Sequence, residues 1–295
     1  MSDALQPALP ANRSYAATLA NGLSALYALT VRQHLHGKRW LVISLLFSLP
    51  AALAILVRCT SSRVPPEGLE FMLAMMLMPQ LLLPLVALLY ASGIVDDEQE
   101  DQTITYLLLR PLPRGAIYFV KLLATVTTTV VLTLVFTAVT FAAIYIGSET
   151  PASEWLDRLV KTAGLHALAM TAYCCLFGLV SLLTKRALVV GVIYIAVIEG
   201  LLANLPFGIR LITVIYYTRL IAYRMLSYKV STPRGEEDMA AEAWQLDVRN
   251  DPDLLLQPTT QTCVLVLLLG SVVCAVLASW ICSHREFHVK TPEKV

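Results

Sequence analysis

Residues 96–114 read Asp96-Asp97-Glu98-Gln99-Glu100-Asp101-Gln102-Thr103-Ile104-Thr105-Tyr106-Leu107-Leu108-Leu109-Arg110-Pro111-Leu112-Pro113-Arg114, a charged insert between two long apolar runs. A hydrocarbon core about 30 Å thick takes roughly 20 helical residues per crossing, so the flanking runs, Phe71 to Val95 and Ile117 to Ile146, are expected to be membrane helices. The insert is then a surface element joining them. Its acidic start suits the positive end of a helix dipole, and Ile104, Leu107 and Leu108 recur on one helical face. Pro111 and Pro113 stop that helix, and Arg114 leads into the next apolar run. An ordinary solvated loop accounts for the charges but not for this order of acidic cap, apolar face, prolines and arginine.

Working outward, four more runs are long enough to cross: Trp40 to Val57, Thr162 to Leu183, Ala187 to Leu205 and Thr262 to Cys282. The predicted fold is an all-α membrane protein, a six-helix transmembrane bundle forming a single domain over 1–295. An N-terminal interfacial helix precedes it, and an external helical segment, 206–261, precedes the last span. With 57% hydrophobic and 15% charged residues, composition excludes an ordinary soluble domain. A net charge of +1, with 22 basic residues spread along the chain, argues against nucleic acid as a partner and for the lipid bilayer. No cleavable leader is expected, because the first long apolar run begins only at Trp40.

Basic residues near span ends are retained in the cytoplasm. One side carries Arg32, Lys38, Arg39, Arg110, Arg114, Lys185, Arg186 and Arg285 among others, while the two short opposite loops hold Arg58, Arg63, Arg158 and Lys161. The segment 206–261 holds more, but a loop of roughly 60 residues weighs little in this rule. Both termini and the insert are therefore expected inside. Leu19, Leu23, Leu26, Tyr27 and Val31, followed by cations and histidines, predict a helix lying in the inner interface, or one packed on protein. Residues 210–229 interleave aliphatics with Tyr216, Tyr217, Tyr223, Tyr228, Arg219 and Arg224, which suits an interfacial or re-entrant helix. Beyond Pro233 the chain turns acidic.

Polar groups inside the spans are the candidate functional side chains, since ionisable groups in hydrocarbon are costly. Glu199 and His166 both fall toward the outer ends of their spans, close enough that they could pair; the readings are a proton relay or substrate site, or else a structural hydrogen bond or a neutral glutamic acid near the interface. Thr125, Thr129, Thr133 and Thr137 form a ridge along the third span, read as helix packing with a translocation lining as the alternative. Pro79 and Pro84 flank Gln80 and predict a kink that frees backbone carbonyls. Met72, Met75, Met76 and Met78 are gap-fillers or, less simply, soft ligands for Cu(I). The six cysteines are expected as free thiols; only Cys59 and Cys263 fall near one membrane surface, where a disulfide would be the alternative. No phosphate-cradling glycine loop occurs, and neither a nucleophile elbow nor metal-ligand spacing is present.

The stretch from Glu98 to Arg114 resembles the cytoplasmic segment between spans two and three of type-2 ABC exporter permeases, in which an acidic pair precedes Thr, a leucine-rich turn, Pro and Arg. The arrangement of spans resembles that class too. The resemblance implies the transmembrane permease subunit of an ABC transporter, multi-pass in the plasma membrane (a bacterial inner membrane), paired with a second permease copy or homologue. It implies a coupling helix over about 98–111 seated on a separate ATPase subunit, with Glu98, Glu100, Thr103, Leu107, Leu108, Pro111 and Arg114 at the contact. ATP and Mg would sit on that partner, with no cofactor on this chain and no catalysis by it alone. The alternatives are a proton-coupled secondary transporter using Glu199 and His166, and a non-transporting membrane anchor or assembly factor.

Overall fold

The computed structural model describes residues 15–36, 38–60, 64–94, 113–184, 186–204, 208–232, 235–244 and 258–284. Among the described residues, six helices are long and apolar enough to cross a membrane: Arg39–Thr60, Pro66–Ala91, Arg114–Tyr145, Ala152–Leu183, Ala187–Asn204 and Thr260–His284, called spans 1 to 6. They coincide with the six apolar runs, with two instructive extensions. Span 2 begins at Pro66 rather than Phe71, and span 4 begins at Ala152 rather than Thr162. Both added stretches carry charges, which depress hydropathy without interrupting helical hydrogen bonding.

Spans 2 and 4 form the centre. Buried residues make up 61% and 67% of their apolar windows, against 22% for spans 5 and 6. Span 3 packs against span 4, span 1 packs on span 3, and span 6 packs on both span 3 and span 4. The outward faces of the peripheral helices remain aliphatic, as with Leu41 and Leu45 on span 1, Val189 and Ile193 on span 5, and Leu269 and Val273 on span 6. In a bilayer such faces need no protein cover, because lipid tails are as apolar as leucine.

Two spans leave the α-helical register. Phe71–Leu82 in span 2 and Tyr194–Leu201 in span 5 are π-helical. At the end of the first, the Leu83 N–H reaches back five residues to the Met78 carbonyl. Pro79 lies inside this segment and Pro84 in the first turn of the α-helix that follows, so the expected backbone irregularity takes the form of a widened register. Gly191 of span 5 lies against Leu88 of span 2, where an added Cβ would run into the Leu88 side chain. A larger residue there would require the Leu88 side chain to move.

The N-terminal helix, Tyr15–His36, packs along span 3 and buries Leu26 and Thr30, while Leu29 and Leu35 face outward. His34 meets Tyr90 edge-on, with ring centroids 4.9 Å apart. At the opposite, distal end of the bundle, a helix Val214–Met225 packs on spans 4 and 6 and buries Ile215, Tyr216, Leu220 and Ile221. It answers to the aromatic, arginine-bearing stretch that the sequence marks for an interfacial helix. A short antiparallel hairpin follows, β1 (Lys229–Thr232) with β2 (Gly235–Asp238), in register Lys229↔Asp238, and then a helix Met239–Trp244. The rest of the described chain is helical or in connecting turns.

Candidate functional site

Among the described residues, the buried polar clusters include three that each begin with a local peculiarity of sequence. The first is the seam between spans 3 and 4. Thr125, Thr129, Thr133 and Thr137 are all fully buried, so the ridge faces the interior of a single subunit. Thr125, Thr129 and Thr133 donate to the carbonyls of Lys121, Thr125 and Thr129, at 2.8–3.0 Å. That back-bonding satisfies hydroxyls in an apolar setting. Thr129 also meets the Cys174 thiol at 3.3 Å, and Thr137 meets His166 Nδ1 at 3.0 Å.

His166 completes an arrangement that the prolines create. In π-register the Ala74 carbonyl would receive the N–H of residue 79, but Pro79 has none. His166 Nε2 lies 2.9 Å from that oxygen. A carbonyl only accepts, so Nε2 carries the proton, and Nδ1 accepts from the Thr137 hydroxyl. A neutral imidazole thereby joins spans 2, 3 and 4, filling a gap of the kind that neighbouring helices fill when proline interrupts a membrane helix.

The second cluster surrounds Glu199, fully buried in the π-helical part of span 5. Its Oε1 accepts from the Tyr194 hydroxyl and the Val214 N–H, and its Oε2 from the Ile215 N–H, each at 3.0 Å. Val214 and Ile215 are the first two residues of the distal helix. The N–H of the third, Tyr216, donates to the Thr213 hydroxyl at 3.4 Å. The opening amides of that helix, which have no partner within it, are therefore held by one side chain from its own cap and one carboxylate from span 5. A second tie runs from Arg219 to the Asn204 side-chain oxygen at 2.8 Å. Burial lowers the affinity of Arg219 for its proton, and the nearby Tyr173 and Glu199 oppose that shift.

The third cluster centres on Glu70, and the sequence reading did not single it out. Glu70 Oε2 accepts from Arg158 Nε at 2.8 Å and from the Tyr145 hydroxyl at 2.5 Å, while Oε1 accepts from the Tyr228 hydroxyl at 2.8 Å. Arg158 stacks over the Tyr228 ring at 5.0 Å and donates to the Ser227 carbonyl at 3.3 Å. Burial and the neighbouring Glu70 carboxylate push the Tyr228 hydroxyl far above its ordinary range, so it remains a donor. Phe71, packed against both Tyr228 and Trp244, extends the cluster into apolar surroundings. Spans 2, 3 and 4 and the segment after the distal helix thus converge on one carboxylate. The available signal was an acid and a base at the same expected membrane surface, Glu70 and Arg158, each in a charged stretch just outside an apolar run.

Glu199 and His166 do not pair with each other. Both ring nitrogens of His166 are engaged by Thr137 and Ala74, and the Glu199 carboxylate is engaged by Tyr194, Val214 and Ile215. The methionines diverge as well: Met78 enters the central core, Met75 the distal one, and Met72 is exposed. All six cysteines are free, with Cys59 exposed and Cys263 buried.

Of the residues expected to touch an ATPase, Glu98, Glu100, Thr103, Leu107, Leu108 and Pro111 lie outside the described residues. Arg114 is the exposed first residue of span 3, preceded by extended Pro113. Its carbonyl accepts from the Cys282 thiol at 3.8 Å, and the Gly115 carbonyl accepts from Ser279 at 3.0 Å, so the start of span 3 is tied to the end of span 6. Nearby, the buried Lys121 donates to the Ile94 carbonyl at 3.5 Å, linking span 3 to the end of span 2.

Residues 35–202 match the model of the ABC-2 family transporter protein, a stretch that takes in the first four spans and nearly all of the fifth. The match covers more than half of the chain, and the chain belongs to that family of membrane transport components. No curated protein matches it.

Proposed function

We propose that this chain is the permease subunit of an ATP-driven exporter, pairing with a second permease to form the translocation pathway and taking its energy from a separate ATPase. Membership in the ABC-2 transporter family carries this reading. It is supported by an acidic, proline-terminated insert that joins two mutually packed spans, where force on a short element reaches both. In this reading Glu98, Glu100, Thr103, Leu107, Leu108, Pro111 and Arg114 contact the ATPase, which holds ATP and Mg. The subunit lies in the cell membrane with both termini cytoplasmic, as the distribution of Lys and Arg favours. ATPase closure would then bias the spans between inward-open and outward-open arrangements.

Affinity purification of the tagged full chain from its native membrane tests the assignment. A nucleotide-binding subunit is expected to copurify, and deleting Glu98 to Arg114 is expected to remove it while leaving membrane insertion intact. Retention of the ATPase by the deletion variant would overturn the assigned contact.

A further inference from the structure

The first turn of span 3 and the last turns of span 6 meet in a seam built on one glycine. Ser279 donates to the Gly115 carbonyl at 3.0 Å, and the Cys282 thiol to the Arg114 carbonyl at 3.8 Å. A Cβ on Gly115 would stand 2.9 Å from the Ser279 side-chain oxygen and 3.0 Å from its carbonyl oxygen, so an added methyl crowds the seam. Farther along, span 6 buries Ala278, Ala275 and Ser271, small side chains that let it lie close on spans 3 and 4. Its other end behaves differently. Cys263 and Leu267 enter the apolar cluster that holds Tyr216, Leu220 and Ile221 of the distal helix. At a rise of about 1.5 Å per residue, Ser279 and Cys263 stand about 24 Å apart along span 6. One helix therefore touches the residues that follow the insert and, most of a bilayer away, the distal helix.

We infer that span 6 carries displacement of the insert to the distal helix, with Gly115 and Ser279 as the positioning residues that join it to the input. This rests on the reading of the insert as the ATPase contact. Arg114 and Gly115 follow the insert directly, so force on it is delivered to the seam. Rigid secondary elements in close packing are what carry coupling between distant sites. Span 2, the insert's other neighbour, is a poorer rod: its π-helical stretch and Pro79 interrupt the regular helix, and its outer part is fastened by Glu70 to spans 3 and 4. Span 3 leads to Tyr145 and that same ion pair. Span 6 runs as an unbroken α-helix, Thr260–His284, past both.

The test takes the full chain, copurified with its ATPase subunit and placed in nanodiscs, and follows amide hydrogen exchange by mass spectrometry with and without ATP and vanadate. In the wild type, nucleotide trapping is expected to change exchange over residues 214–225. Gly115→Ala is expected to keep the ATPase bound and to lose most of that response. Gly115→Ala/Ser279→Gly, which clears the added methyl, is expected to recover it. Ser279 lies outside the assigned ATPase contact, so recovery speaks for the seam. A purely structural seam would lower the melting midpoint of Gly115→Ala and leave the nucleotide response in place. That full response, or a double variant no better than the single one, overturns this inference alone. Absence of any ATPase from the purified wild-type chain removes the coupling reading, and this inference with it.

Discussion

Glu70 and Glu199 are both buried without exposure near the distal end of the bundle, and they are accommodated by different means. Glu70 has a guanidinium and two phenols, gathered from spans 2, 3 and 4 and from the segment beyond the distal helix. The hydrogen bonds to Glu199 come from neutral donors: one phenol in its own span and two backbone amides at the start of the distal helix. The first is an ion pair that fastens helices to one another. The second is a helix cap supplied in trans, which anchors a surface element to a peripheral span. Identical side chains in one bundle therefore perform distinct mechanical tasks, set by which donors the fold brings to them.

The largest effect should come from Arg158→Ala. It leaves the Glu70 carboxylate buried with only phenolic donors, and breaking a buried pair by removing one partner costs about 3–5 kcal/mol. A thermal melt of the purified protein in detergent is expected to show a large drop in midpoint. The double variant Glu70→Leu/Arg158→Met is expected to recover much of the loss, since an apolar replacement of both partners is often neutral. If the double variant is as unstable as Arg158→Ala, the cluster does more than balance charge.

Next comes Glu199→Ala, which strips partners from the Val214 and Ile215 amides. Leaving buried donors unsatisfied costs about 1–3 kcal/mol. The loss should be local: hydrogen exchange is expected to accelerate over residues 214–225 while spans 2 and 4 stay protected. Uniform acceleration throughout the bundle would erase the distinction between cap and fastener.

These two sites also mark how far the sequence could be read. Hydropathy located six spans, and the cost of an acid in hydrocarbon singled out Glu199. Its partners stayed hidden, because backbone amides at a helix start carry no residue signature. Glu70 and Arg158 were passed over because each lies in a stretch whose charges end a hydropathy window, although the helices continue through them. The Thr137–His166–Ala74 chain was half visible. Proline announced a freed carbonyl and threonine a polar ridge, but the π-register that selects Ala74 depends on packing.

A smaller effect is expected from Thr137→Val, which removes the donor to His166 Nδ1 while preserving shape. Interhelical hydrogen bonds inside membrane bundles average about 0.6 kcal/mol, so the melt should shift only slightly. A loss as large as that of Arg158→Ala would place the neutral seam beside the ion pair as a principal fastener.

The smallest effect should come one residue from the largest. Asp157 pairs with Lys161 at 2.6 Å across one helical turn, but its side chain is 61% exposed and that of Lys161 is 36% exposed. A single step along a helix turns the side chain by about 100°, which carries position 157 away from the Glu70 cluster that position 158 enters. Solvent screens an exposed pair of this kind, and ordering two flexible side chains offsets the attraction, leaving about 0.5 kcal/mol or less. Asp157→Asn is therefore expected to melt with the wild type, and its small shift should shrink further in high salt. A loss approaching that of Arg158→Ala would mean that net charge on this face of span 4, rather than the buried geometry around Glu70, holds the distal end together.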